Sequence, residues 1–107
     1  MQLLINHGDI QVSNTLTDHV IQSIGDALKH VRGNITRVEV HLRDNKQKRR
    51  GPNDRICTLE ARLSGARPFA VEARGADIYR VVTEATAKLS RAVARKIEYR
   101  RQRTRLP

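Results

Sequence analysis

Positively charged residues are the most prominent candidates for binding in this sequence, and most of them lie in two clusters. The segment from Lys88 to Arg105 holds eight Lys and Arg residues and a single acid, Glu98. The segment from Arg43 to Arg55 holds six more, so the two segments contain 14 of the chain's 21 cations. Guanidinium and ammonium groups bind phosphates, and clustering of this kind indicates a polyanionic partner.

Both clusters also have structural explanations. Cations complement the dipole at a helix C-terminus, and Lys on an exposed turn discourages edge-to-edge pairing of strands. The first effect accounts for only about two or three of the eight cations, and the four cations within 46–50 exceed the need of a turn. We therefore expect nucleic acid as the partner. An anionic membrane surface is the weaker alternative, because interfacial helices carry Trp, Phe or Leu, and the apolar residues here are needed for a core.

Patterns typical of catalysis or metal binding are missing from the sequence. The four His residues are scattered without the spacing of a metal site, and no Gly-rich phosphate loop occurs. Cys57 is interpreted as a buried strand residue. Aromatic residues make up only 3% of the chain, which favours contacts to phosphates over base stacking on the sheet. We predict no enzyme, cofactor, metal or small-molecule substrate.

Hydrophobic periodicity assigns these cations to an α+β domain. Period-two alternation predicts strands, and apolar residues at helical spacing predict helices. The predicted strand, helix, three strands and final helix are 2–6, 15–32, 35–43, 56–63, 69–74 and a segment beginning near 77. This predicts a single β-α-β-β-β-α domain with a four-stranded mixed sheet and two helices on one face. We assign the domain to residues 1–100 and a basic, flexible tail to 101–107.

The final helix carries most of the predicted site. At about 100° per residue, Arg80, Lys88, Arg91 and Arg95 form a ridge nearly opposite the apolar stripe, whereas Lys96 and Arg100 lie off it. The predicted RNA-binding residues are Arg80, Lys88, Arg91, Arg95, Lys96, Arg100, Arg101, Lys46, Lys48, Arg49 and Arg50.

Several motifs in this sequence match those of one family in order and spacing. The start "MQLLI" is similar to an opening strand, and "IQVSNTLTDHV" to the entry into a first helix. The segment "ADIYRVVTEATAKLSR" is similar to a second helix that begins with an Asp-Met-Tyr-like triplet and continues to Lys-Leu-x-Arg. Together they resemble the ribosome hibernation promoting factor or ribosome-associated inhibitor A family, also described as ribosomal subunit interface or sigma-54 modulation proteins.

The resemblance implies a fold related to double-stranded RNA-binding domains. It also implies binding to 16S rRNA of the small ribosomal subunit, in the channel where mRNA and tRNA meet, and a reversible block of translation under stress or in stationary phase. Ser23 and Asp26 stand where the family often has cations, and Ala92 replaces a Gln. The residues in the first helix place more of the expected binding on the second helix. The basic loop is also longer and more basic than usual.

Two other functions fit the same charge pattern. One is a stand-alone binder of double-stranded RNA or DNA. The other is implied by the family resemblance and is a protein that modulates an alternative sigma factor without RNA. No apolar run approaches the roughly 20 residues of a membrane span. We therefore expect a cytoplasmic protein. We also expect it to be a monomer when it is not bound to the ribosome.

Overall fold

The structure is a computed structural model that describes residues 1–11, 13–45 and 54–105. Within these ranges the chain follows the predicted β-α-β-β-β-α order, and a short 3-10 turn joins the first helix to the second strand. The elements are β1 (Gln2–Asn6), α1 (Asn14–Leu28), the turn (Arg32–Asn34), β2 (Ile35–Asn45), β3 (Asp54–Leu63), β4 (Phe69–Gly75) and α2 (Ile78–Arg105).

The strands form one mixed sheet in the order β1-β2-β3-β4. β1 runs parallel to β2, with Leu3 opposite Val38, whereas the β2–β3 and β3–β4 pairs are antiparallel. A parallel pair needs a crossover connection, and α1 supplies it. The mixed four-stranded sheet predicted from the sequence is therefore confirmed.

Both helices cover the same face of the sheet. Val40 and Leu59 of the sheet, Ile24 of α1 and Leu89 of α2 belong to one core and have no exposed surface. Each such side chain contributes about 1.5–3 kcal/mol by leaving water. Cys57 lies in this core as predicted, and burial raises the pKa of its thiol to about 12.

Side-chain caps fix the start of each helix. The Ser13 hydroxyl accepts a hydrogen bond of 3.0 Å from the Leu16 backbone N–H. The Asp77 carboxylate accepts one of 3.0 Å from the Tyr79 backbone N–H. Both contacts satisfy N–H groups that have no partner within the helix.

The far ends of both helices differ from the sequence prediction. α1 ends at Leu28 rather than near Arg32, because Val31 turns back and donates its N–H to the Leu28 carbonyl at 3.0 Å. α2 continues as helix through Arg105, in keeping with the good helix propensity of Arg and Gln. Helical backbone thus covers most of the predicted tail 101–107, and the tail's flexibility stays a prediction.

Candidate nucleic-acid interface

α2 is longer than any strand that it covers, and this length creates the candidate site. Its 28 residues span about 42 Å at 1.5 Å per residue, whereas the 10 residues of β3 span about 34 Å. The buried stripe of α2 includes Leu89 and Val93. The same side of the helix then carries Lys96, Arg100 and Arg103, at spacings of three or four residues. The C-terminal part of α2 therefore presents cations where the earlier part presents core residues.

Four predicted site residues point into solvent. The side chains of Arg80, Arg91, Arg95 and Arg101 are exposed. Within the described ranges, none of the four has an ion pair or hydrogen bond to another part of the chain. The fold therefore leaves these guanidinium groups free to contact an anion.

Lys88 interrupts the ridge that the sequence predicted. Its Nζ donates a 2.9 Å hydrogen bond to the backbone carbonyl of Glu72 and lies 3.9 Å from the Glu84 carboxylate. Glu72 belongs to β4, one of the two edge strands of the sheet. Lys88 thus satisfies an acceptor at the sheet edge, and its contribution to RNA binding stays a prediction.

Lys96 and Arg100 attach the C-terminal part of α2 to the turn between β3 and β4. The Lys96 ammonium lies 4.6 Å from the centre of the Phe69 ring, which is a cation–π contact. The Arg100 guanidinium donates a 2.6 Å hydrogen bond to the Ser64 carbonyl. These two predicted site residues therefore also hold α2 in place.

A cleft of about 710 Å³ opens between this part of α2 and the turn. No acidic side chain lines it, and we call it the basic cleft. Its cations are Arg67, Arg95, Lys96, Arg100 and Arg103, and its aromatic residues are Phe69 and Tyr99.

Sequence reasoning placed neither Arg67, Tyr99 nor Arg103 in the site. The available signal for Arg103 was its spacing, which continues the Lys96–Arg100 side of the helix. The signal for Arg67 was a cation within the turn "SGARP".

The basic loop predicted to contact RNA lies outside the described residues, including Lys46, Lys48, Arg49 and Arg50. The paired strand residues that flank it, Asn45 and Asp54, are at the opposite end of β3 from the basic cleft. The two clusters therefore attach to the sheet at opposite ends.

Three arginines on the open face of the sheet, in contrast, have carboxylate partners. Arg74 and Arg43 lie 3.1 Å and 3.5 Å from the Glu72 carboxylate, and Arg37 lies 4.0 Å from Glu39. The hydrogen bond from Arg74 is the main cause that holds the pKa of the Glu72 carboxyl below its ordinary value, with help from Thr58 and Arg43. The guanidinium groups of these three arginines are therefore largely neutralised within the fold.

Residues 1–11, 13–45 and 54–105 contain no group of three or more His, Cys, Asp or Glu side chains that could hold a metal ion. None of their helices is both long enough and apolar enough to cross a membrane.

Comparisons with known proteins cover most of the chain. A family model described as "Sigma 54 modulation protein / S30EA ribosomal protein" matches residues 4–101. A ribosomal subunit interface protein from Coxiella burnetii superimposes with a TM-score of 0.77 at 17% identity, over 92% of this chain and 99% of that chain. The N-terminal domain of Protein Y from Thermus thermophilus superimposes with a TM-score of 0.69 at 20% identity, over 89% of this chain and 98% of that chain. At these identities the structures establish the fold alone, and no curated protein sequence matches.

Proposed function

Because the chain belongs to the Sigma 54 modulation protein / S30EA ribosomal protein family, we propose that it binds the small ribosomal subunit and reversibly inhibits translation. The family is one of ribosome-associated factors rather than of enzymes. The observation that carries the proposal is the set of exposed cations on α2 to which the described fold gives no partner: Arg80, Arg91, Arg95 and Arg101.

The proposed mechanism is electrostatic docking followed by occlusion. Phosphates of 16S rRNA neutralise the α2 cations, and the counterions released from the RNA favour binding. A rigid domain in the channel where mRNA and tRNA meet would exclude both ligands without making or breaking a covalent bond. Such binding is reversible, as expected of a factor that keeps ribosomes inactive under stress or in stationary phase.

The spatial distribution of the cations also favours a large partner. The basic cleft and the attachment points of the basic loop lie at opposite ends of β3, about 34 Å apart along the strand. A folded ribosomal RNA offers phosphates over such a distance. A monomer in the cytoplasm, free to exchange with the subunit, is the form that this mechanism requires.

Co-sedimentation with purified small subunits tests the proposal. We expect saturation near one molecule per subunit in the presence of excess duplex RNA, since a general double-stranded RNA binder would be removed by that competitor. Subunits already filled with mRNA and initiator tRNA should bind much less protein. Unchanged binding to filled subunits would exclude occlusion of the channel, and loss of binding to the duplex competitor would favour the stand-alone RNA binder.

The family description also favours a second candidate, because it names sigma 54 modulation. In that case the cations of α2 would contact an acidic protein surface. Pull-down of a sigma-54-type factor after nuclease treatment distinguishes the two candidates. We expect no retention without RNA, and stoichiometric retention would instead support the protein partner.

A further inference from the structure

The basic cleft has the size and chemistry of a nucleotide site. Its volume of about 710 Å³ lies within the roughly 300–1,000 Å³ of small-ligand pockets. The chain contains one Phe, two Tyr and no Trp, and two of these three aromatic residues, Phe69 and Tyr99, line the cleft. A cleft that combines aromatic rings with guanidinium groups matches a ligand that has both a flat base and a phosphate.

Tyr99 is the residue in the cleft best suited to a base. Its exposed fraction is 61%, so its ring is not required by the core. The Arg103 guanidinium lies 5.8 Å from the centre of this ring, at the distance of a cation–π contact. Exposed aromatic rings beside cations are the platforms on which single-stranded nucleic acids stack their bases.

The cations of the cleft divide into two groups. Lys96 and Arg100 are engaged with the ring of Phe69 and the carbonyl of Ser64. Arg67 and Arg95 have neither ion pairs nor hydrogen bonds among the described residues. The first pair builds the wall of the cleft, and the second is available to phosphates.

The nearest acid on α2 does not weaken this arrangement. Glu98 lies about 160° around the helix from Lys96 but only about 60° from Arg95, and within the described residues no ion pair or hydrogen bond joins it to Arg95. Glu98 is also absent from the cleft lining. An anion in the cleft therefore meets cations without a facing carboxylate on α2.

We propose that the basic cleft holds one unpaired nucleotide of an RNA strand, with its base on Tyr99 and its phosphates at Arg67 and Arg95. This inference rests on the proposed RNA-binding function. Arg95 lines the cleft and is one turn away from exposed Arg91, so a strand leaving the cleft meets the outer cations of α2. That continuity favours a strand over a free nucleotide, and paired bases in an RNA duplex are not available for such stacking.

The test uses the full chain and a five-nucleotide single-stranded RNA with 2-aminopurine in the middle, because stacking quenches this fluorescent base. We expect the wild type to bind and quench it, and Tyr99→Leu to weaken binding about 5- to 100-fold and abolish quenching. Tyr99→Phe should retain both signals. Tyr79→Leu is the matched control at the chain's other tyrosine, which does not line the cleft, and it should behave as wild type.

Co-sedimentation with small subunits, run in parallel, separates this inference from the proposed function. If the wild type sediments with subunits but Tyr99→Leu binds and quenches the oligomer as the wild type does, the nucleotide site is excluded and the proposed function stands. If the wild type binds neither subunits nor the oligomer, both the proposed function and the nucleotide site are excluded. Binding of ADP that depends on Tyr99 and exceeds binding of the oligomer would overturn the assignment to an RNA strand.

Discussion

The outer surface of α2 and the open face of the sheet are both rich in arginine, but they use it differently. On the sheet, Arg43 and Arg74 share the carboxylate of Glu72, which also accepts a 3.3 Å hydrogen bond from the Thr58 hydroxyl. On α2, nine Lys and Arg residues accompany two Glu residues between Ile78 and Arg105. One region therefore balances its charge internally, and the other does not.

This difference shows what cationic side chains contribute in each region. Like charges three or four residues apart on a helix destabilise it by a few tenths of a kcal/mol, so α2 bears a cost that folding alone does not require. Its core-facing stripe, which includes Leu89, would pack equally well beneath a neutral outer surface. The excess charge is therefore best explained by a partner, whereas the sheet arginines are explained by the fold.

The largest expected effect comes from removing charge from α2. We expect Arg91→Gln, Arg95→Gln and Arg101→Gln in one chain to weaken binding to small subunits about 100-fold at physiological salt, because roughly three phosphate contacts and their released counterions are lost. The thermal unfolding temperature should stay the same or rise slightly, since none of the three has a described ion pair or hydrogen bond and the relieved like-charge repulsion is worth only a few tenths of a kcal/mol. Quantitative co-sedimentation measures the affinity.

The matched control removes the same charge from the sheet. Arg37→Gln, Arg43→Gln and Arg74→Gln also lower the net charge from +10 by three, but these arginines face Glu39 or Glu72. We expect this variant to bind subunits nearly as the wild type does and to unfold more easily. Equal loss of binding in both variants would mean that the net charge of the protein, and not the location of the cations on α2, determines the affinity.

The salt dependence of binding should show a smaller but more specific difference. For the wild type we assume about six to eight phosphate contacts. A plot of the logarithm of the binding constant against the logarithm of the salt concentration should then have a slope on the order of −4 to −7. The triple α2 variant should reduce its magnitude by about 2 to 3, and the triple sheet variant should leave it unchanged. Binding affinities measured between 50 and 300 mM KCl give these slopes, because the range of salt concentration is about sixfold. A common slope for all three proteins would contradict a phosphate-binding role for α2.

The sequence predicted the fold and the outer cations more completely than the contacts of individual cations. Alternation through Val38 and Val40 determined which strand face is buried, and helical spacing placed Arg91 outside the core. The bond from Lys88 to β4 was not predictable, because it depends on which strand forms the sheet edge. The cleft beside Arg67 was missed because it requires α2 to continue along the β3–β4 turn.

A still smaller effect should distinguish two adjacent arginines of α2. Arg100 donates to the Ser64 carbonyl, whereas Arg101 is exposed and has no described partner. We expect Arg100→Gln to lower the free energy of unfolding by about 1 kcal/mol, the usual net value of one hydrogen bond. Urea denaturation measures this change. Amide hydrogen exchange should also show faster local opening of α2 beyond residue 97. Arg101→Gln is the control, and an equal loss of stability there would refute the anchoring role of Arg100.

The smallest expected effect concerns the carboxylate that neutralises the sheet arginines. Arg74, Thr58 and Arg43 lower the pKa of Glu72 below its ordinary value of 4.5 in the folded protein. The ionised group therefore stabilises the fold above about pH 4.5, and this contribution is lost as the pH falls through the lower folded pKa. Because Glu72 is exposed, its contribution should stay below about 1 kcal/mol. Urea denaturation of the wild type and Glu72→Gln between pH 7 and pH 3, about the range over which a carboxyl titrates, should show two stabilities that converge at acid pH. The difference in unfolding free energy between the proteins with Glu72 and with Gln at this position should also be smaller when Arg74 is replaced by Gln. A difference that grows as the pH falls would contradict the pairing of Glu72 with Arg74.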